Sequence, residues 1–160
     1  MTSTLSKFID EYGFDYAASI TADSKLKAGY RVNFVDSKIK NIEGVVYLIV
    51  VDGEVVKIGG SGQTLPNRWV SYQAGTKQAR KKGTCSVTNY DVSQYLINKL
   101  NEQSNIALYA YNPEPVTATV NLFNQQTKYI QTQIWKEYEK FLLDEYKKLN
   151  STFPILSKNK

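Results

Sequence analysis

The stretch from Gly44 to Tyr72, GVVYLIVVDGEVVKIGGSGQTLPNRWVSY, limits the fold more than any other part of the chain. Two apolar, mostly β-branched runs, Val45 to Val51 and Glu54 to Ile58, flank the turn-forming pair Asp52-Gly53, so it reads as a β-hairpin. Gly59-Gly60-Ser61-Gly62 gives a tight exit, Thr64 can cap a short helix, and Pro66 is tolerated in that helix's first turn. Arg68 and Tyr72, one helical turn apart, share a face. Tyr47, Lys57, Arg68 and Tyr72 then reach a common surface, provided that Tyr47 and Lys57 point to the same side of the hairpin. A two-residue turn would pair Val51 with Glu54 and send them to opposite sides. A three-residue connection with a bulge at Gly53 would pair Val50 with Glu54 and Tyr47 with Lys57, and this second register is the expectation.

At 160 residues the chain fits one domain with a substantial core. It has no histidine, and Cys85 is its only cysteine. An intrachain disulfide, cysteine zinc sites and histidine-dependent catalysis are thereby excluded, leaving Tyr, Lys, Arg, Glu and Asp to do any chemistry. No apolar run nears the roughly 20 residues that span a membrane, and MTSTLSKFIDEYG lacks a signal peptide's pattern, so a cytoplasmic protein is expected. The net charge is +5, but Lys57 to Lys99 holds seven cations against the single acid Asp91, a local +6. A polyanion suits that segment, and a solvated basic loop is the plain alternative.

Leu5, Phe8, Ile9 and Tyr12 follow helical spacing up to Gly13, and short strands are expected at Ala17–Thr21 and Tyr30–Val35. Beyond Gly75, the polar, basic stretch Thr76 to Asn89 reads as a loop near the ligand. If the polyanion is DNA, Ser61, Lys77, Arg80, Lys81, Lys82 and Asn89 are the candidate contacts, with this loop or the N-terminal segment reading bases. A helix capped by Asp91 or Ser93 runs to Leu100, and Ile106 to Tyr111 suits a third strand. Val116, Ala118, Val120 and Leu122 alternate as a fourth short strand or extended loop. From about Thr127 to Leu149 a helical pattern collects Trp135, Tyr138, Leu142, Leu143 and Tyr146 on one side, with Glu139 inside that stripe and Glu137 opposite. A carboxylate among aromatics needs a lysine partner or a metal. Ser151 to Lys160 reads as an irregular tail.

Val45-Val46-Tyr47, Lys57-Ile58-Gly59 ten residues on, Arg68, and Glu139-Lys-Phe-Leu142-Leu143 together resemble the GIY-YIG nucleases over about two thirds of the chain. Val45 stands where that family's first glycine is expected, and Lys57 replaces its second tyrosine. Lys57, with Tyr72 one turn after Arg68, is similar to a subset of GIY-YIG type II restriction endonucleases. The resemblance implies an α+β fold with a small antiparallel three-stranded sheet flanked by helices. It divides the chain into an N-terminal extension (1–40), a nuclease core (41–150) and a tail (151–160). It also implies a catalytic set of Tyr47, Lys57, Arg68, Tyr72 and Glu139, with Glu139 holding one Mg²⁺ that Mn²⁺ can replace, and Glu137 as the fallback ligand. Either tyrosine could serve as general base. The implied function is sequence-specific cleavage of double-stranded DNA by a homodimer. A degradative phage-type endonuclease and a non-catalytic nucleic-acid-binding domain are the alternatives. Gly59 to Gly62 is not followed by Gly-Lys-Ser/Thr, so no nucleotide cofactor is expected.

Overall fold

The computed structural model describes residues 3–124 and 126–157. Its centre is an antiparallel sheet of five strands: β1 (Asp15–Ala22), β2 (Tyr30–Phe34), β3 (Val45–Val51), β4 (Glu54–Ser61) and β5 (Ile106–Tyr111). Their order is β2-β1-β5-β3-β4. Three of these, β3, β4 and β5, are the three-stranded sheet expected from the sequence, and β1 and β2 fall on the short strands expected at 17–21 and 30–35. The sheet is two strands wider because β1 pairs along the free side of β5, Ser19 opposite Ala107, and β2 continues from β1. The first 40 residues thus extend the same sheet.

Helices cover both faces. On one, α2 (Leu65–Gln73) and α4 (Val87–Asn101) bury Leu65, Trp69, Tyr72, Val92 and Leu96 against Tyr47, Ile49 and Val51 of β3. On the other, α1 (Thr4–Tyr12) and α5 (Trp135–Asn150) bury Phe8, Leu142 and Leu143 against Val46, Leu48 and Val50. Every residue of β3 is therefore buried, and its run VVYLIVV needs no polar alternation. Gly13, at φ 72°, ends α1 in the left-handed conformation.

Two segments depart from the sequence reading. Thr76 to Asn89 is not a loop: Thr76 caps the short helix α3 (Lys77–Lys81), and Ser86, rather than Asp91 or Ser93, caps α4 by accepting from Asn89 N at 3.1 Å. The last long helix begins at Trp135 instead of near Thr127, because β6 (Val116–Leu122) pairs with β7 (Gln126–Thr132) as a separate two-stranded ribbon. Thr127, Tyr129, Ile130 and Thr132 are β-branched or aromatic, and that preference wins over a weak helical period. Among the described residues, no helix is long and apolar enough to cross a membrane.

Candidate active site

The hairpin reaches the expected face by an unexpected register. Asp52 (φ 49°) and Gly53 (φ 85°) form a two-residue turn, and Val51 pairs with Glu54. The three-residue connection is therefore incorrect: Gly53 completes a turn whose twist matches the strands. A bulge after Val55 then restores the parity, so that Ile49 faces Lys57 and Tyr47 faces Gly59. Tyr47 and Lys57 consequently share the α2 side of the sheet.

Thr64 caps α2, its hydroxyl accepting from Asn67 N at 3.4 Å, and the helix sets Arg68 and Tyr72 over β3. The hydroxyls of Tyr47 and Tyr72 are 2.6 Å apart in the interior. Arg68 Nε donates to Tyr47 Oη at 3.3 Å, and its guanidinium lies 4.1 Å from the centre of the Tyr72 ring. Arg68 Nη1 donates to Asn89 Oδ1 at 3.3 Å, so Asn89 supports the arginine from the first turn of α4. Burial raises the Tyr72 phenol well above its ordinary range, Tyr47 beside it adds to the rise, and Arg68 opposes it. Burial alone would weaken the Arg68 charge, but Tyr47 and Tyr72 more than offset it, so Arg68 is held cationic.

Lys57 is only 2% exposed although β4 is an edge strand. The cause is the C-terminal segment, which makes a 3-10 turn at Ile155–Ser157 along that edge. Ser157 Oγ accepts from Ile58 N at 3.3 Å and donates to Ile58 O at 3.1 Å, replacing a neighbouring strand. Lys57 Nζ donates to Leu156 O at 3.0 Å. The expected tail is a strap that holds the lysine.

Glu139 approaches from the other face. A Cβ built on Gly60 would lie 2.8 Å from Glu139 Oε2 and 2.3 Å from Trp135 Cε3, and one on Gly59 would lie 2.5 Å from Tyr47 Oη. The glycine pair leaves bare backbone at positions 59 and 60 of β4. Tyr47 packs against it from the α2 side, and Glu139 packs against it from the α5 side. Glu139 is buried and borders a cavity of about 530 Å³ lined also by Trp135, Lys136, Lys140 and Phe153, whereas Glu137 is exposed. Among the described residues, no three His, Cys, Asp or Glu side chains cluster as a multidentate metal site.

Of the other sequence candidates, Ser61 is buried and its hydroxyl accepts from Gln63 N at 3.0 Å, closing the turn into α2. Lys77, Arg80, Lys81 and Lys82 are exposed on or beside α3, which begins five residues after Tyr72. Sequence reasoning missed Gln133, whose Nε2 donates to Gly62 O at 3.3 Å, and also missed Trp135 against Gly60 and the Ser157 strap. The strap acts across 99 residues and leaves no local signal.

Neither a family model nor a curated protein matches this chain. Solved structures do, among them the following two. Bacteriophage T4 EndoII, in a mutant form, is 18% identical over 89% of this chain and 93% of its own, with a TM-score of 0.60, a likeness of fold alone. The restriction endonuclease HPY188I, in complex with product DNA, is 32% identical over 95% of this chain and 83% of its own, with a TM-score of 0.63. At that identity and coverage, this chain belongs to the nuclease family of the restriction endonuclease HPY188I.

Proposed function

We propose that the protein is a Mg²⁺-dependent, sequence-specific endonuclease of double-stranded DNA, of the type II restriction kind, on a GIY-YIG scaffold. The observation that carries this reading is the meeting of Tyr47, Arg68 and Tyr72 on one side of the Gly59-Gly60 backbone of β4, with the Glu139 carboxylate on the other. A homodimer fits it, because cutting both strands of a palindrome takes two equivalent sites.

The donor set suits Mg²⁺. A single hard carboxylate at a cavity wall matches an ion that prefers oxygen ligands and keeps most of its waters. When bound there, Mg²⁺ would neutralise charge on the scissile phosphate. The remaining work falls to the chain's own groups. Arg68, held cationic, offers its guanidinium fork to the phosphate. Lys57, fixed by Leu156 O, contributes a second positive charge on the same sheet face.

Tyr47 is the better base of the two phenols. Its oxygen is within reach of two donors, Arg68 Nε–H and Tyr72 O–H, and both would stabilise a phenolate. Tyr72 resists ionisation through burial, and so serves as the donor. A phenolate at Tyr47, held by Tyr72 O–H and Arg68 Nε–H, would take the proton of the attacking water and become the neutral phenol as the hydroxide adds to phosphorus, the bond to the leaving oxygen breaks and that oxygen takes a proton from solvent.

The test is incubation with long duplex DNA in Mg²⁺ or EDTA, beside Glu139→Ala and Arg68→Ala. Discrete Mg²⁺-dependent fragments are expected, with the rate lowered about 10²- to 10³-fold or more in each variant. A smear would mean a degradative nuclease. Bound but intact DNA, with binding untouched by either substitution, would mean a non-catalytic binding domain.

A further inference from the structure

The β6–β7 ribbon carries none of the residues placed at the site. Its described side chains are exposed or half-buried, and Phe123 at the tip is 94% exposed. The register pairs Thr117 with Gln131, Thr119 with Tyr129 and Asn121 with Thr127, so those six residues share one face. All six carry hydroxyl or amide groups that both donate and accept. The apolar Val116, Ala118, Val120, Leu122 and Ile130 fall on the reverse, together with Lys128. From Pro115 to Lys136 the sequence contains no carboxylate, while Lys128 and Lys136 add positive charge.

Shape and placement agree with that chemistry. A strand rises about 3.3 Å per residue, so each seven-residue strand spans about 23 Å, roughly seven base-pair steps. The major groove of B-DNA admits a two-stranded ribbon, and its base edges offer the donors and acceptors that Thr, Asn and Gln match. The ribbon's root lies at the site: β7 runs through Gln133, bonded to Gly62 O, directly into the helix that carries Glu139.

We infer that the β6–β7 ribbon enters the major groove of duplex DNA with its Thr117, Thr119 and Asn121 face toward the bases, and that it supplies sequence discrimination. This rests on the reading of the protein as a DNA endonuclease, and it moves base readout away from the basic residues around α3, which are left to phosphate contact. Entering the groove, the ribbon fixes where β4 and α5 meet the backbone.

The experiment is selection of bound duplexes from a random-sequence pool in EDTA, for the wild-type chain and for Thr117→Ala/Asn121→Ala/Gln131→Ala. The three positions are exposed, and circular dichroism and thermal unfolding check that the variant folds as wild type. The wild type is expected to enrich a short motif, and the variant to enrich it at least tenfold less while keeping non-specific binding. Equal enrichment by both would overturn the assignment, as would enrichment of no motif by the wild type. So would a variant that shifts from dimer to monomer in sedimentation yet enriches the same motif at dimer-forming concentration, since the ribbon would then join subunits. Because binding is scored without cutting, a wild type that selects a motif but cleaves nothing would fail the catalytic reading and leave the ribbon's role supported.

Discussion

Gly60→Ala isolates the contact between the edge strand and the carboxylate helix. A methyl group there would sit 2.3 Å from Trp135 Cε3 and 2.8 Å from Glu139 Oε2, and ordinary contact begins at 3.4 Å. The ring must retreat by about 1.1 Å and the carboxylate by about 0.6 Å. Both residues lie in the first two turns of α5, whose Leu142 and Leu143 are packed in the core, so the helix cannot slide freely. Overpacking of this kind costs about 1–3 kcal/mol. A displacement near 1 Å at a reacting group costs about 10²-fold in rate, so the roughly 0.6 Å asked of the Glu139 carboxylate should cost about tenfold. Urea unfolding and single-turnover cleavage across a Mg²⁺ titration measure the two effects. Gly53→Ala is the control: nothing lies within 4 Å of it, so only the strain of φ 85° is added and cleavage is unchanged. If Gly60→Ala cleaves at the wild-type rate with the wild-type Mg²⁺ requirement, Glu139 does not act from this position.

Ser157→Ala removes both bonds to Ile58, leaving a buried N–H unpaired; a loss of about 1–3 kcal/mol in urea unfolding is expected, with a fall in kcat at constant KM and recovery in Ser157→Thr. Asn89→Ala frees one side of Arg68 and should slow single-turnover cleavage about tenfold while costing only about 0.5–1.5 kcal/mol of stability. Burial pushes the Tyr30 phenol up to about 12, against about 10 when unfolded, so the folded state holds this proton more tightly. Its contribution is intact below pH 10 and is lost as pH rises from there toward 12, by about 1.4 kcal/mol per unit. Tyr72 acts in the same direction. Urea midpoints between pH 9 and 11.5 should therefore fall more steeply for the wild type than for Tyr30→Phe, and parallel curves would refute this.

The parts of the fold that were legible are those with dense local signals. The hairpin shows as β-branched runs around Asp-Gly, α2 as a threonine cap with proline in the first turn, and α5 as an aromatic stripe. The width of the sheet was not legible, because β1 meets β5 some 90 residues later and β1, DYAASITA, carries only a partial apolar pattern. The bulge after Val55 is similar. It decides the face of Lys57, yet valine before and after it gives no mark of an extra residue. Tyr47 and Lys57 were assigned to one face correctly, but by a turn that the chain does not make.

At the site, residue identity was legible and support was not. Gly59 and Gly60 read as a loop in sequence. In the fold they are strand residues whose missing side chains let Tyr47 and Glu139 approach the same backbone from opposite sides. An edge lysine ordinarily keeps its ammonium in water, where it also discourages strand addition. Lys57 does neither, because the 3-10 turn at Ile155–Ser157 covers the edge and supplies a carbonyl to its Nζ. The same segment sends Phe153 into the wall of the Glu139 cavity. One short stretch thus braces the lysine on one face and the carboxylate pocket on the other. Its removal should therefore impair cleavage more than the few hydrogen bonds lost would suggest.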